Sequence, residues 1–449
     1  MALNKYQAIG AASVFYILYI MFFPVLFYSI NVHRIISVLF FSWICLVSIM
    51  RKLERTSIVH FMLLTIFTFI YGRFFVGIID NNLSGFELGF GHFYSPSSYQ
   101  INESFFLFNT GLFFLWCGLM LFINKNNAIA IKKIKVANIA SIMLLSVVIV
   151  LMPMDIYAKF KAVSIYGYDG LYLSQVKYKF DVFRIISICL PVSLGMSIVS
   201  KNNKLIFISI LLIMVDNTIL LLLGAREPFV TWLFCLIWVS DHCFQKKISN
   251  LRVILLFLFM LVIAILIKSY RGGYRTNSIF IADFFYQQGF TSVVAIPAWF
   301  IEGYSKFSYI TMLLPVGGIL HMFKIIGSTL DLNIFNYFAY NLNPDYFQQG
   351  HGLGWSVFLD LFHLSGKNII IYSILSLFLG SGISYFSNKA SINSLVFIIF
   401  VALIPKIIYL PRSGLFIFTN NIIYYSIAAF FVIFLSIVFS KSIKGVKNV

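Results

Sequence analysis

The chain has 449 residues, 60% of them apolar and only 11% charged, with a mean hydropathy of +0.93. A water-soluble domain of this size would lack the polar residues to cover its surface, whereas a bilayer removes the need for a polar exterior. A formal charge of +18 would suggest nucleic acid in a soluble protein, but no basic run alternates with exposed aromatics on a soluble domain, so the charge is read first as membrane orientation.

Apolar windows long enough to cross the roughly 30 Å hydrocarbon core recur along the chain. They predict helices at 7–30, 35–50, 56–78, 104–123, 138–155, 183–200, 205–223, 228–243, 253–268, 368–385, 391–407 and 416–440. The alternation of a barrel strand is missing from them. The expectation is an all-α polytopic membrane protein of about twelve transmembrane helices, with ten to fourteen compatible. The first window follows Lys5 and lacks a small-residue cleavage site, so it reads as a retained helix. Cys45, Cys117, Cys189, Cys235 and Cys243 lie in or beside apolar windows without C-x-x-C spacing and read as packing residues.

Twelve crossings place both termini on one side. The short connections there, with the terminal segments, carry Lys5, Arg51, Lys52, Arg55, Lys125, Lys132, Lys133, Lys135, Lys201, Lys204, Lys246, Lys247, Arg252, Lys389, Lys441, Lys444 and Lys447. That is about half of the 33 Lys+Arg, which makes this side cytoplasmic by the positive-inside rule. The long connections, 79–103, 156–182 and 269–367, fall on the other side with most of the carboxylates. Connections of such length are usually functional. Within 269–367, Phe290–Ile301 and Tyr309–Ile326 are apolar, and are read as interfacial helices in preference to a further pair of crossings. With no internal repeat and no linker, residues 1–449 form one integral membrane domain.

Four outward constellations carry candidate chemistry. In Gly224-Ala225-Arg226-Glu227-Pro228, Arg226 is either a snorkelling cation paired with Glu227 or part of an anion site, since its planar fork suits phosphate oxygens. Lys268, Arg271 and Arg275 leave the membrane within eight residues around Gly272-Gly273, either as a solvated face or, since topology does not call for cations there, as the seat of an anionic ligand, which is the better account. Gln348 to Ser356 sets His351 among three glycines, with Asp360 and His363 following. His351 is either a turn histidine or a general base, because imidazole titrates near working pH. Leu410-Pro411-Arg412-Ser413-Gly414 ends a helix with another cation. Asp216 lies inside an apolar helix, as a functional carboxylate or as a hydrogen-bond partner of an adjoining helix. Tyr337, Tyr340, Tyr346, Trp355 and other outer rings are boundary anchors or platforms for sugars. The chain contains no H-E-x-x-H, no Walker loop and no G-x-S-x-G, so no metal or cofactor is expected.

The order and outward placement of the G-A-R-E turn, the basic exit at Arg271–Arg275, the Gly-rich His351–Ser356 segment before Asp360 and the late P-R-S-G resemble the Wzy-type O-antigen polymerases. The resemblance covers the layout of most of the chain. It implies a metal-independent glycosyltransferase of the GT-C type in a bacterial inner membrane, with both termini cytoplasmic. The growing glycan on undecaprenyl diphosphate would pass to a new lipid-linked repeat unit at the periplasmic face. It implies a chain-length regulator protein and membrane lipids as partners, and no nucleic acid. Arg226, Arg271, Arg275 and Arg412 would hold the diphosphate, and His351, or after it Asp360, would take the acceptor proton. An O-antigen ligase shares this layout, and a lipid-linked oligosaccharide flippase is the rival from another class.

Overall fold

The computed structural model describes residues 3–26, 28–54, 56–80, 83–86, 95–123, 132–166, 182–244, 280–315, 333–348 and 354–446. Among the described residues every regular element is helical. In chain order these are α1 (Lys5–Leu26), α2 (Ile30–Met50), α3 (Ile58–Ile66), a π-helical turn (Phe67–Tyr71), α4 (Gly72–Ile79), α5 (Ser98–Phe122), α6 (Val136–Tyr166), α7 (Val182–Ser200), α8 (Asn203–Leu222) and α9 (Arg226–Phe244). After them come α10 (Phe280–Gln288), α11 (Phe290–Trp299), α12 (Phe307–Leu313), α13 (Ile334–Leu342), α14 (Pro344–Gln348), α15 (Val357–Leu364), α16 (Ile369–Ala390), α17 (Ser394–Tyr409), a 3-10 turn (Leu410–Arg412) and α18 (Leu415–Val446). Nine spans among the described residues are long and apolar enough to cross a membrane, which makes this a polytopic membrane protein. The expected helix at 253–268 lies outside the described residues.

Helix starts follow from local chemistry. Ser29, Asn202, Ser356, Asn368 and Asn393 each precede an apolar run, and each side chain accepts a backbone N–H of the first turn. At Ser97 the exchange is reciprocal, with Gln100 returning a bond to the Ser97 N–H.

Packing is closest where side chains are smallest. A Cβ on Gly118 would lie 2.1 Å from the Leu377 carbonyl oxygen, and one on Gly380 would lie 2.1 Å from that of Leu115. The backbones of α5 and α16 therefore touch, as small residues allow between helices in lipid, where burial of apolar surface drives no association. α17 runs through the middle of the bundle, with Phe397, Phe400, Val401 and Leu403 wholly buried. A span with so few polar residues suits a position surrounded by other helices.

Two departures from expectation have physical causes. α6 continues past 155 to Tyr166. The hydropathy pattern breaks there at Asp155 and Lys159, but Lys159 Nζ lies 2.5 Å from Asp155 Oδ2 one turn back and 3.0 Å from Asp216 Oδ1 on α8. Lys159 is shared by the two carboxylates in a buried interhelical triad, and the helix runs on. Of the two readings of Asp216, the structure supplies the adjoining-helix partner. The second departure is α11. It was expected to lie in the interface, yet Val293, Val294, Ala295 and Ala298 are wholly buried. A helix apolar on all sides has no polar face to turn to water, and packs inside.

Candidate functional site

The site begins with the stop of α8. Gly224 adopts φ +102°, a left-handed conformation that favours glycine, and lets its N–H reach Leu221 O (2.9 Å) while the Ala225 N–H reaches Leu220 O (2.8 Å). This pair of bonds closes α8 and turns the chain at once into α9. Arg226, Glu227 and Pro228 form the first turn of α9, where an acidic residue is favoured by the helix dipole and a proline by its missing N–H.

Against this turn lies the end of α17. Tyr409 donates to the Glu227 carboxylate, and the charges of Lys406 and Arg412 act on it. Arg412 Nη1 also donates to Gln288 Oε1 at the end of α10 (2.8 Å), and its guanidinium carbon sits 4.9 Å from the centre of the Phe69 ring. Phe69 belongs to the π-helical turn and meets Tyr409 edge-on, with ring centres 5.7 Å apart. Four segments far apart in sequence thus converge: 67–71, 226–227, 288 and 406–412. Arg226, Glu227, Lys406, Tyr409 and Arg412 are all half-buried. In this group two cations, Lys406 and Arg412, act on one carboxylate, and Arg226 adjoins it in the chain.

Two further arginines fix the same end of the bundle. Arg34 donates to Gly77 O and Ser84 O, both at 2.8 Å, and lies over Phe86. Arg73 donates to Gly85 O (2.9 Å) and Tyr286 O (3.1 Å), and stacks 3.9 Å from the Tyr286 ring centre. The last turn of α10 is therefore gripped twice, by Arg73 at Tyr286 and by Arg412 at Gln288.

Of the residues singled out in the sequence, Arg226 and Arg412 are brought to one place, with Glu227 between the two turns. Asp360 lies beneath the Arg412 turn and is 2% exposed. Its Oδ1 accepts from Trp355 Nε1 (2.7 Å) and its Oδ2 from the Leu415 N–H (2.5 Å). Burial pushes its carboxyl up to about 7, against the pull of those two bonds. Gly414 is needed here, since a Cβ would sit 2.8 Å from Asp360 Oδ2. Trp355, read as a possible sugar platform, is buried and serves as this donor. His351, Arg271 and Arg275 lie outside the described residues.

His363 is wholly buried, with Nε2 2.8 Å from Ala298 O and Nδ1 3.0 Å from the Tyr304 hydroxyl. A carbonyl only accepts, so the proton assigned by this network is on Nε2, and Nδ1 accepts from Tyr304. Burial lowers its pKa to about 4, opposed by the Ala298 bond and helped by Lys367. This is a structural histidine.

Lys406, Tyr409, Gln288 and Phe69 were not anticipated. Only Lys406 carried a signal, as an ionisable residue within an apolar helix.

No curated protein and no solved structure matches the chain. A family model for the O-antigen polysaccharide polymerase Wzy matches residues 11–443, a stretch that includes every element of the site. A membrane-embedded bundle of apolar helices, with cations gathered at helix ends, is the setting such an enzyme needs to act on lipid-linked oligosaccharide repeat units. The chain belongs to the Wzy family of O-antigen polysaccharide polymerases and is a glycosyltransferase-type polymerase of the membrane.

Proposed function

We propose that the chain polymerises repeat units carried on undecaprenyl diphosphate, at the periplasmic face of a bacterial inner membrane, and that the Arg226–Arg412 cluster holds the diphosphate. The observation that carries this reading is the meeting of the end of α17, with Lys406 and Arg412, and the α8–α9 turn that carries Arg226, all three residues half-buried. A diphosphate on a lipid tail rides at that depth. The site lies at the end of the bundle opposite the one where α1 begins and α18 ends. With twelve crossings and cytoplasmic termini, that end faces the periplasm.

In the transfer, the bond between the anomeric carbon of the growing glycan and the diphosphate oxygen breaks. The acceptor hydroxyl oxygen of the incoming unit bonds to that carbon, and its proton passes to a base. The electron pair leaves on the diphosphate. Arg226, Lys406 and Arg412, together with Arg271 and Arg275, meet that charge directly, so the proposal requires no metal. Preorganised cations in a partly dehydrated site act more strongly there than in water. His351 is the base in this scheme. Asp360, with both oxygens occupied, anchors the turn that presents Arg412.

The test is deletion of the gene, complementation with each variant and a gel of surface polysaccharide. A polymerase leaves core carrying one repeat unit when deleted. Loss of every repeat would instead point to a ligase or a flippase.

A further inference from the structure

A cavity opens at the same end of the bundle, where α1 ends and α2 and α5 begin. Its volume is about 510 Å³, within the ordinary range for sites that take small molecules. Tyr28, Ser29 and Asn31 line it from the α1–α2 turn, Ser84 and Phe86 from the segment 83–86, and Ser98 from the start of α5. The wall at 83–86 is held in place by two buried arginines. Arg34 donates to Gly77 O and Ser84 O and lies over Phe86. Gly77 leaves room for this grip, since a Cβ there would lie 2.8 Å from Arg34 Nη1. Arg73 donates to Gly85 O and also to Tyr286 O, two residues before the Gln288 that Arg412 holds. The cavity and the Arg412 cluster are thus fixed to one frame.

The lining decides what the cavity takes. Among the described residues no carboxylate lines it, and its one cation, Arg34, has both Nη groups bonded to carbonyls. The first turns of α2 and α5 are already capped by Ser29 and Ser97, so they do not call for an anion. What remains is a set of hydroxyls and an amide, groups that both give and accept hydrogen bonds. Beside them is the ring of Tyr28, which is 92% exposed. An uncharged sugar matches this lining: its hydroxyls exchange hydrogen bonds with such side chains, and its apolar C–H face lies on an aromatic ring. We propose that the cavity is a subsite for uncharged sugars of the lipid-linked glycan, apart from the cations that meet the diphosphate. The inference rests on the functional reading above and deepens it. A glycan extends well beyond its diphosphate, and holding its remoter sugars on the same rigid frame aligns the reacting atoms.

The probe is the repeat-unit oligosaccharide, released by mild acid from the lipid-linked material that the deletion strain accumulates. Its binding to the purified full-length protein in detergent is read by saturation-transfer NMR, with thermal unfolding as a check on folding. Asn31→Leu and Tyr28→Ala are each expected to weaken binding on the order of fivefold. Asn31→Gln, which keeps the amide, is expected to weaken it less. Both positions are exposed, so the unfolding temperature should hold. Inorganic pyrophosphate, measured by calorimetry, should bind the natural protein and all three variants alike. Oligosaccharide binding that neither Asn31→Leu nor Tyr28→Ala changes overturns the subsite, as does its absence from the natural protein. With pyrophosphate still bound, the functional reading survives either result. A lower unfolding temperature in Tyr28→Ala with glycan binding intact would make the ring a membrane anchor and overturn the subsite equally. Displacement of the oligosaccharide by glycerol 3-phosphate would assign the cavity to a lipid headgroup and overturn it too. A natural protein that binds the oligosaccharide as expected but no pyrophosphate would keep the subsite and remove the diphosphate seat.

Discussion

The two ends of the bundle both hold arginines, and they use them differently. At the end with the chain termini, Arg51 is 3% exposed and donates to Met120 O (3.0 Å) and Ile123 O (2.6 Å), the carbonyls that close α5. Lys5 reaches Leu121 O beside them (3.4 Å). These cations neutralise the negative end of a helix dipole and tie α1 and α2 to α5. At the opposite end Arg34 and Arg73 behave likewise, gripping backbone carbonyls. Lys406 and Arg412 do not: their neighbours are Glu227, Gln288 and Phe69, all side chains. A carbonyl in a packed backbone cannot leave, whereas a side chain can turn away. What separates the carbonyl-bound cations from those proposed to meet the diphosphate is the kind of partner each has, and a count of charges would not reveal it.

That contrast is broken most directly by truncating one cation of each kind. Arg412→Ala is expected to cut polymerisation on the order of 10²–10³-fold, the usual effect of removing one preorganised charge from a site where charge develops. Its unfolding temperature should stay close to that of the natural protein. Arg226→Ala is expected to follow it. The readout is the ladder of long chains on a gel, set beside the amount of protein in the membrane. Long ladders in both variants would remove the cluster from the mechanism.

Arg51→Ala should do the reverse. The charged hydrogen bonds it makes to Met120 and Ile123 contribute about 1.5–3 kcal/mol each, so the variant is expected to unfold earlier and accumulate less. Activity per folded molecule should remain. A loss of activity at full stability would mean that the terminal end also reaches the chemistry. Between these two in kind, Gly118→Val tests the frame rather than the charges. Its side chain would strike the Leu377 carbonyl, and such overpacking costs about 1–3 kcal/mol. A stable variant would show that α5 and α16 separate without penalty.

The sequence made the spans legible because a membrane helix must be apolar for its whole length, and hydropathy measures that. It also made Arg226 and Arg412 legible, as cations at helix ends where orientation asks for none. Lys406 was hidden by the apolar run around it, which reads as one more crossing. Arg73 sits inside a helix window and Arg34 in the short gap between the windows 7–30 and 35–50, and their carbonyl partners carry no mark in sequence. Gln288 and Phe69 are ordinary residues whose role lies only in what they touch. The extension of α6 was missed because Asp155 and Lys159 look solvated until Asp216 is placed beside them. In each case the missing information was a pairing between distant segments.

The smallest expected effect concerns Asp360, the carboxylate under the Arg412 turn. Its folded pKa, about 7, lies above the usual carboxylate value because burial disfavours the charged form. A group raised in this way binds its proton more tightly folded than unfolded. Its contribution to stability is therefore full below about pH 4 and is lost as pH rises through about 7. Asp360→Asn removes that titration but turns an amide N–H toward either Trp355 or Leu415, both donors. At neutral pH the two changes oppose each other and leave a difference on the order of 1 kcal/mol. The slope is the sharper measurement. Thermal unfolding in detergent between pH 4.5 and 7.5 should fall more steeply for the natural protein than for Asp360→Asn, while pyrophosphate binding through the nearby cations stays within a few-fold. Parallel curves would mean that Asp360 holds one protonation state across this range, and that its bonds to Trp355 and Leu415 outweigh its burial.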